Sequence, residues 1–404
     1  MNNLKKVFED HTFLSLYIPV FLLILIGLIT TSGFNYLHYV FSFFGALLIS
    51  YSLFYRFDIL RFPLKLNIQV SKIWITILLV SCIALTIFHF IALGGIPGLE
   101  GIQIRKLSEV VNLRKDIGQR AHPIWGYLSS INMKALIPFT LFLCLLQNRK
   151  KEYWTILILG IFYSIALMQK SHVLSVLFPV IIFAILNKKW LLVTKYAALT
   201  LFVIFSLVYI TNPQLRGGEY DLKYTEESKK IAENKSNDPA VVKAVKSIFK
   251  RVIVVPGKMV SEWFRIIPND KPFLNGNGYK IGSKINGETF HDYSKELHPL
   301  VFPEYGKQGI QGTVNVAHFM REYSNFGSIG LVLSGVFTAL FFIFLNHVFR
   351  DISLVNKLAF NSFPIFLMSS GSLTTILLTG GWFFTILLFF IFKNFFEREK
   401  HIIP

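Results

Sequence analysis

The chain has 404 residues, 53% of them hydrophobic and 16% aromatic, with a mean hydropathy of +0.52. Water does not solvate that much apolar surface, so a soluble globular domain is excluded and a bilayer is the expected solvent. The formal net charge of +18 raises nucleic acid as a partner, but most of the excess falls where membrane proteins carry positive charge, so no nucleic-acid partner is expected.

Ten apolar stretches read as transmembrane helices: 13–31, 35–54, 73–93, 127–146, 153–168, 173–186, 190–210, 326–347, 354–369 and 373–392. Only helices and closed barrels satisfy their backbone inside lipid, so the expected fold is an all-α polytopic membrane protein of about 10 transmembrane helices. Residues 1–210 carry helices 1–7 with a basic outer loop at 94–123. Residues 211–325 form one large hydrophilic segment, and residues 326–404 carry helices 8–10 and a tail. No cleavable signal peptide is expected, the first apolar run being the first helix.

Orientation follows from Lys and Arg in the short loops. With the N-terminus inside, the inner loops hold Lys5, Lys6, Arg56, Arg61, Lys65, Lys72, Arg149, Lys150, Lys151, Lys188, Lys189, Arg350, Lys357, Lys393, Arg398 and Lys400. The outer short loops hold only Arg105, Lys106, Arg114, Lys115, Arg120 and Lys170. Both termini therefore fall on the cytoplasmic side, and the long segment lies outside. Both outer loops are net basic, which suits an anionic partner at the membrane surface. Cys82 and Cys144 fall within spans and supply no disulfide framework.

The third helix ends at Gly94-Gly95-Ile96-Pro97, which stops a helix and turns the chain. A polar loop with Arg105, Lys106, Arg114, Lys115, Arg120 and His122 follows. It reads either as a solvated basic loop or as a phosphate clamp, for which a planar guanidinium is well shaped. In the long segment, 218–237 is charged and poor in large apolar residues. Asp238-Pro239 then opens an amphipathic pattern with Val241, Val245, Ile248, Val252 and Val255, and a second pattern runs through Met259, Val260, Trp263, Phe264 and Ile267. These helices lie either in the headgroup layer or on the protein's own bundle. Gly276, Gly278, Gly282 and Gly287 read as turns, because their spacing misses the dinucleotide pattern. The segment closes with His298, His318, Arg321 and Glu322.

Lys134 lies in the outer half of the fourth span, and an intramembrane cation is either functional or a lysine snorkelling to the headgroups. His38 and His89 lie near the outer ends of theirs. No Asp or Glu falls within any span, which removes the carboxylate relay of ion-coupled transporters. The sequence has no DxD, P-loop, HExxH or CxxC, so no metal and no cofactor is expected. No inner segment is large enough for a nucleotide site. The substrate should arrive by the membrane and react on its outer side.

Three features in order carry a resemblance. They are GGIP with the basic loop, a helical hairpin turning at Lys170-Ser171, and an outer loop ending Arg321-Glu322-Tyr323-Ser324-Asn325-Phe326-Gly327-Ser328-Ile329-Gly330. Together they resemble the Wzy-type polymerases of O-antigen and capsular polysaccharide repeat units. Many members of that family carry Arg in the turn after the fifth helix, where this chain has Lys170. The resemblance implies a fold like that of C-type glycosyltransferases and a place in a bacterial cytoplasmic (inner) membrane. It implies metal-independent transfer of a growing glycan from undecaprenyl pyrophosphate to a lipid-linked acceptor, with the bilayer and a chain-length regulator protein as further partners.

On that reading the departing pyrophosphate needs cations, with Arg105, Arg120, Lys170, Arg321 and Lys134 as candidates. The acceptor hydroxyl needs a base, with His318 or Glu322 as candidates and His298 in reserve. If 318–322 is helical, His318 and Glu322 are an i,i+4 pair on one face. Arg321 and Glu322 otherwise merely cap the eighth helix. The long segment is then expected to act as a lid over the site. An O-antigen ligase, which shares the chemistry but uses another acceptor, and a sugar–lipid flippase or exporter are the alternatives.

Overall fold

Regular structure in the computed structural model is helical, with no strand among the described residues, which are 8–57, 70–218, 249–307 and 312–397. The helices used below are α1 (Thr12–Ser32), α2 (Leu37–Arg56), α3 (Ile73–Leu93), α4 (Pro97–Gln103), α5 (Leu107–Arg120), α6 (Pro123–Leu146), α7 (Lys150–Ala166), α8 (Lys170–Leu186) and α9 (Trp190–Thr211). They continue with α10 (Val255–Ile266), α11 (Met320–Val348), α12 (Leu354–Leu367), α13 (Leu373–Leu377) and α14 (Trp382–Ile391). Six of these, α1, α2, α3, α6, α9 and α11, are long and apolar enough to cross a membrane. Their outward residues agree: α3 exposes Ile77, Val80, Phe88 and Ile91, and α9 exposes Leu201, Phe202 and Phe205. Apolar stripes of that size belong against acyl chains rather than water.

The tenth apolar stretch does not form one helix. It breaks into α13 and α14 at Thr379-Gly380-Gly381, where Gly381 takes φ 79°. The basic loop is not a loop either. Gly94 (φ 71°) caps α3, Pro97 opens α4, and α5 follows, so 97–120 is a pair of short helices.

The chain divides into two interleaved units. The first comprises Met1–Pro63, Lys223–Arg350 and Ile365–Leu373, and the second comprises Leu64–Leu222, Asp351–Pro364 and Thr374–Pro404.

In the first unit α2 packs along α11, and α10 lies on α1. Inside lipid there is little hydrophobic drive between helices, so close backbone approach has to supply the contact. Gly335 does this on α11: a Cβ there would come within 2.6 Å of the Phe43 carbonyl on α2. On α10, Met259, Val260, Trp263, Phe264 and Ile266 are buried against the unit's own helices. Of the two placements open to the amphipathic patterns, the second helix therefore takes the bundle. The start of the first pattern and the charged stretch before it lie outside the described residues.

In the second unit α6 is central, packed by α3, α7 and α8. Its helix contains a five-residue π turn, Asn132–Leu136. Asn132, fully buried, donates to the Cys82 carbonyl and to Thr86 Oγ1, both at 3.1 Å. These two bonds satisfy its Nδ2, whose loss of partners would cost about 1–3 kcal/mol, while its Oδ1 has no hydrogen-bond partner among the described residues. Farther along, Phe139, Phe142, Phe360 and Phe396 pack as an aromatic cluster, and Trp382 Nε1 donates to Asn361 Oδ1 at 2.8 Å.

Candidate functional site

The candidate site in the first unit is built on the first two turns of α11. The helix starts at Met320, not before it, so His318 is outside the helix and the expected i,i+4 pairing with Glu322 does not form. At Gly327 the backbone turns to φ 61°, ψ −140°, which separates these turns from the long span that follows. Only glycine adopts that conformation at low cost, and the Phe273 ring lies directly over it.

The turns before the break are held by the segment 274–279. The amides of Leu274 and Asn275 donate to the carbonyls of Ser324 and Asn325, each at 2.9 Å. Asn325 is fully buried and answers on both sides: its Nδ2 donates to the Arg321 carbonyl at 2.8 Å, and its Oδ1 accepts from the Gly278 amide at 2.9 Å. Gly278 is thus more than a turn residue, because a Cβ there would stand 2.6 Å from the Asn325 amide nitrogen. Gly276 (φ 95°) and Gly287 (φ 69°) are turns, as the sequence suggests.

This docking fixes three functional groups. The Arg321 guanidinium lies 4.6 Å above the Tyr279 ring and donates to the Gly278 carbonyl at 3.0 Å, with Ser372 Oγ at 3.5 Å. The Tyr279 hydroxyl donates to Glu322 Oε1 at 3.2 Å. Burial, the Glu322 charge and the bond to it push the Tyr279 phenol above its usual range, against the pull of Arg321, so it stays a donor at neutral pH. A cation, a carboxylate and a phenol thus share one half-buried corner.

His318 occupies a different environment. It is 1% exposed and meets Tyr17 and Phe43 edge-on. Its Nδ1 lies 3.2 Å from the Met368 carbonyl, which only accepts, so Nδ1 carries the proton. Its Nε2 then accepts from the Thr338 hydroxyl at 3.3 Å. The lone pair that a general base would use is engaged inside an aromatic box. His298 is also buried, with its ring against Phe302 and the Gly312 backbone, and burial lowers its imidazole pKa.

The remaining candidates belong to the second unit. A groove of about 620 Å³ is lined by α4, α5 and the residues joining them, including Glu100, Gln103, Arg105, Glu109, Asp116 and Arg120. Arg105 is exposed in it. Arg120 pairs with Glu100 at 2.7 Å, so a phosphate there would have to displace that carboxylate. Arg216 ties this hairpin to the end of α9, donating to the carbonyls of Gly101, Ile102, Ile104 and Ile210. Lys170 is exposed as the first residue of α8. Lys134 sits in the π turn of α6 and donates to the Thr379 carbonyl at 3.0 Å.

Tyr279, Asn325 and Ser372 did not stand out from the sequence. Asn325 alone had a signal, being part of the phrase that opens the eighth helix; Tyr279 and Ser372 reach Arg321 only through the fold. No family model matches the chain, and no curated protein or solved structure matches it.

Proposed function

We propose that the protein is a polytopic glycosyltransferase that extends undecaprenyl-pyrophosphate-linked oligosaccharide repeat units into O-antigen or capsular polysaccharide at the outer leaflet. The observation that supports this reading is the Arg321–Tyr279–Glu322 corner at the junction of the long segment and a transmembrane helix. In the proposed reaction an acceptor hydroxyl oxygen attacks the anomeric carbon of the donor. The bond from that carbon to the pyrophosphate oxygen breaks, and the hydroxyl proton passes to Glu322. Arg321 stabilises the charge gathering on the departing pyrophosphate, a task that a guanidinium fixed beforehand performs with little reorganisation. Arg105 and Lys170 are the exposed outer cations assigned to the anionic substrate.

Base duty falls to Glu322 rather than His318, because the His318 lone pair is already engaged. The missing metal motifs agree with a reaction that needs only fixed cations. A lipid-linked substrate also explains why no inner segment offers room for a soluble sugar donor.

The test uses purified protein reconstituted with lipid-linked repeat units. Arg321→Ala and Glu322→Gln proteins that insert normally should fail to extend them. Full-length polymer from both would sink the proposal. A surface-polysaccharide gel from a deletion strain separates a polymerase, which leaves single repeat units, from a ligase, which leaves lipid-linked polymer unattached.

A further inference from the structure

The segment ahead of α11 carries a short helix, Lys280–Asn286, that the reaction above does not use. Gly287 closes it at φ 69°, and the Glu288 amide donates to the Ser283 carbonyl at 2.9 Å. Its inner side is fixed. Ser283 is buried, and a Cβ on Gly282 would stand 2.3 Å from the Gly276 carbonyl. Asn286 Nδ2 donates to the Asn275 carbonyl at 3.1 Å and to Asn277 Oδ1 at 2.7 Å. The outer side is therefore a held surface. Ile281 and Ile285 stand on it at i,i+4, 74% and 79% exposed. Lys280 and Lys284, one step round the helix, form a second exposed stripe beside them.

Single exposed isoleucines are ordinary on a protein surface, but these two adjoin an apolar row on a membrane-length helix. The Tyr279 ring, one residue before the short helix, lies within 21° of parallel to the Phe326 ring, with centroids 6.5 Å apart. A Cβ on Gly276 would stand 4.0 Å from the same Phe326 ring. Phe326 is exposed, and Ile329, Val332, Leu333 and Phe337 continue the exposed row along α11, which is long and apolar enough to cross a membrane. The short helix thus stands at the N-terminal end of a face that belongs against acyl chains. No acidic residue falls within 280–287, so the helix presents two isoleucines and two cations. That pairing suits the boundary between headgroups and acyl chains, where apolar side chains enter the oil and lysine stems reach back to phosphate. A second copy of the chain docked on this face would set lysine against lysine.

We infer that the helix Lys280–Asn286 is a membrane-surface anchor that docks on anionic phospholipid headgroups of the adjacent leaflet. Ile281 and Ile285 enter the acyl boundary, and Lys280 and Lys284 pair with the lipid phosphates. Tyr279 immediately precedes the helix, so the anchor fixes the height of the Arg321–Tyr279–Glu322 corner relative to the headgroups. The anchoring stands on the exposed face; its effect on turnover rests on the glycosyltransferase reading.

The experiment reads insertion without turnover. Full-length Ile285→Cys protein is labelled with bimane and placed in phosphatidylcholine nanodiscs with and without phosphatidylglycerol. Wild type, whose Cys82 and Cys144 are buried, gives the background. Quenching by a lipid carrying a nitroxide high on its acyl chain is compared with quenching by aqueous acrylamide. The lipid should quench the label more strongly than acrylamide, and phosphatidylglycerol should raise the lipid quenching further. Lys280→Gln and Lys284→Gln, added to the labelled protein, should each lower the ratio of inserted to solvated label by roughly fivefold with phosphatidylglycerol present, and leave it unchanged without. Ile281→Ser should lower it in both lipids. If Ile285→Cys does not fold, Ile281→Cys labelled in the same way carries the measurement. Acrylamide quenching ahead of lipid quenching would overturn the anchor. A label hidden from both quenchers would overturn it in favour of a protein partner on that face. Lipid quenching indifferent to phosphatidylglycerol and to both lysines would overturn the anionic headgroup. An anchored protein that extends no lipid-linked repeat units would instead refute the glycosyltransferase reading and leave the anchor standing.

Discussion

Gly27 on α1 and Gly257 on α10 meet with no room for a side chain between them. A Cβ on Gly27 would stand 2.5 Å from the Val254 carbonyl and 2.9 Å from the Gly257 amide, and a Cβ on Gly257 would run into the Leu28 amide. The contact is backbone on backbone, so no rotamer change relieves it. Gly257→Leu should therefore lift α10 off α1, at a cost of about 1–3 kcal/mol or more. Thermal unfolding of the detergent-purified variant checks this, and a midpoint equal to wild type would contradict it.

Arg216 spreads its guanidinium over carbonyls from two places in the chain, Gly101, Ile102 and Ile104 beyond α3 and Ile210 at the end of α9. Three of those carbonyls belong to the hairpin that carries Arg105. Arg216→Ala should loosen that hairpin by roughly 1.5–3 kcal/mol, the range for a hydrogen bond to a charged group. Hydrogen exchange should show faster amides across 97–120 in the variant, with α6 unchanged.

The Tyr279 ring and hydroxyl act on different partners, so they separate by substitution. Tyr279→Phe keeps the surface under Arg321 and removes the donor to Glu322. Tyr279→Ala removes both. A cation over an aromatic face is worth about 0.5–2 kcal/mol. Extension of lipid-linked repeat units should fall in the order wild type, Phe, Ala. Arg321→Lys should fail alongside Tyr279→Ala, because an ammonium lacks the planar fork. Wild-type rates in Tyr279→Ala would remove Tyr279 from the site.

His298 gives a pH dependence. Burial lowers its folded pKa below the ordinary 6.5, so the folded protein binds that proton less readily than the unfolded chain. Its contribution to stability is complete above 6.5 and is lost as pH falls through the folded value. The unfolding midpoint should decline over that acidic window in wild type and decline less in His298→Phe. Parallel curves for the two proteins would show that His298 does not titrate with folding.

Much of the helical layout was legible because lipid allows so few backbone solutions. The end of α3 at Gly94-Gly95-Ile96-Pro97 was legible for the same local reason, since glycine and proline act through their own torsions. The break within 373–392 was not foreseen. Gly380-Gly381 sits in a run apolar enough to read as one helix, and hydropathy averages over the two residues that matter. The candidate site was half legible. Arg321 and Glu322 stand out as charges beside a membrane span, whereas Tyr279 lies 42 residues upstream and reaches them only because Asn325 bonds Gly278. The surroundings of His318 were hidden for a related reason. Its position four residues before Glu322 offered a shared face if 318–322 were helical, but α11 begins two residues after His318 and the ring turns into the aromatic packing of α1 and α2.

The interruption ahead of α14 bears on the lipid as well as on the protein. Ten helical residues rise about 15 Å, roughly half of a hydrocarbon core of about 30 Å. Phe383 and Leu387 nevertheless face outward as if toward acyl chains. An apolar face shorter than the hydrocarbon core is met by local thinning of the bilayer, by polar groups reaching its edge or by neighbouring helices, at fractions of a kcal/mol per ångström of mismatch.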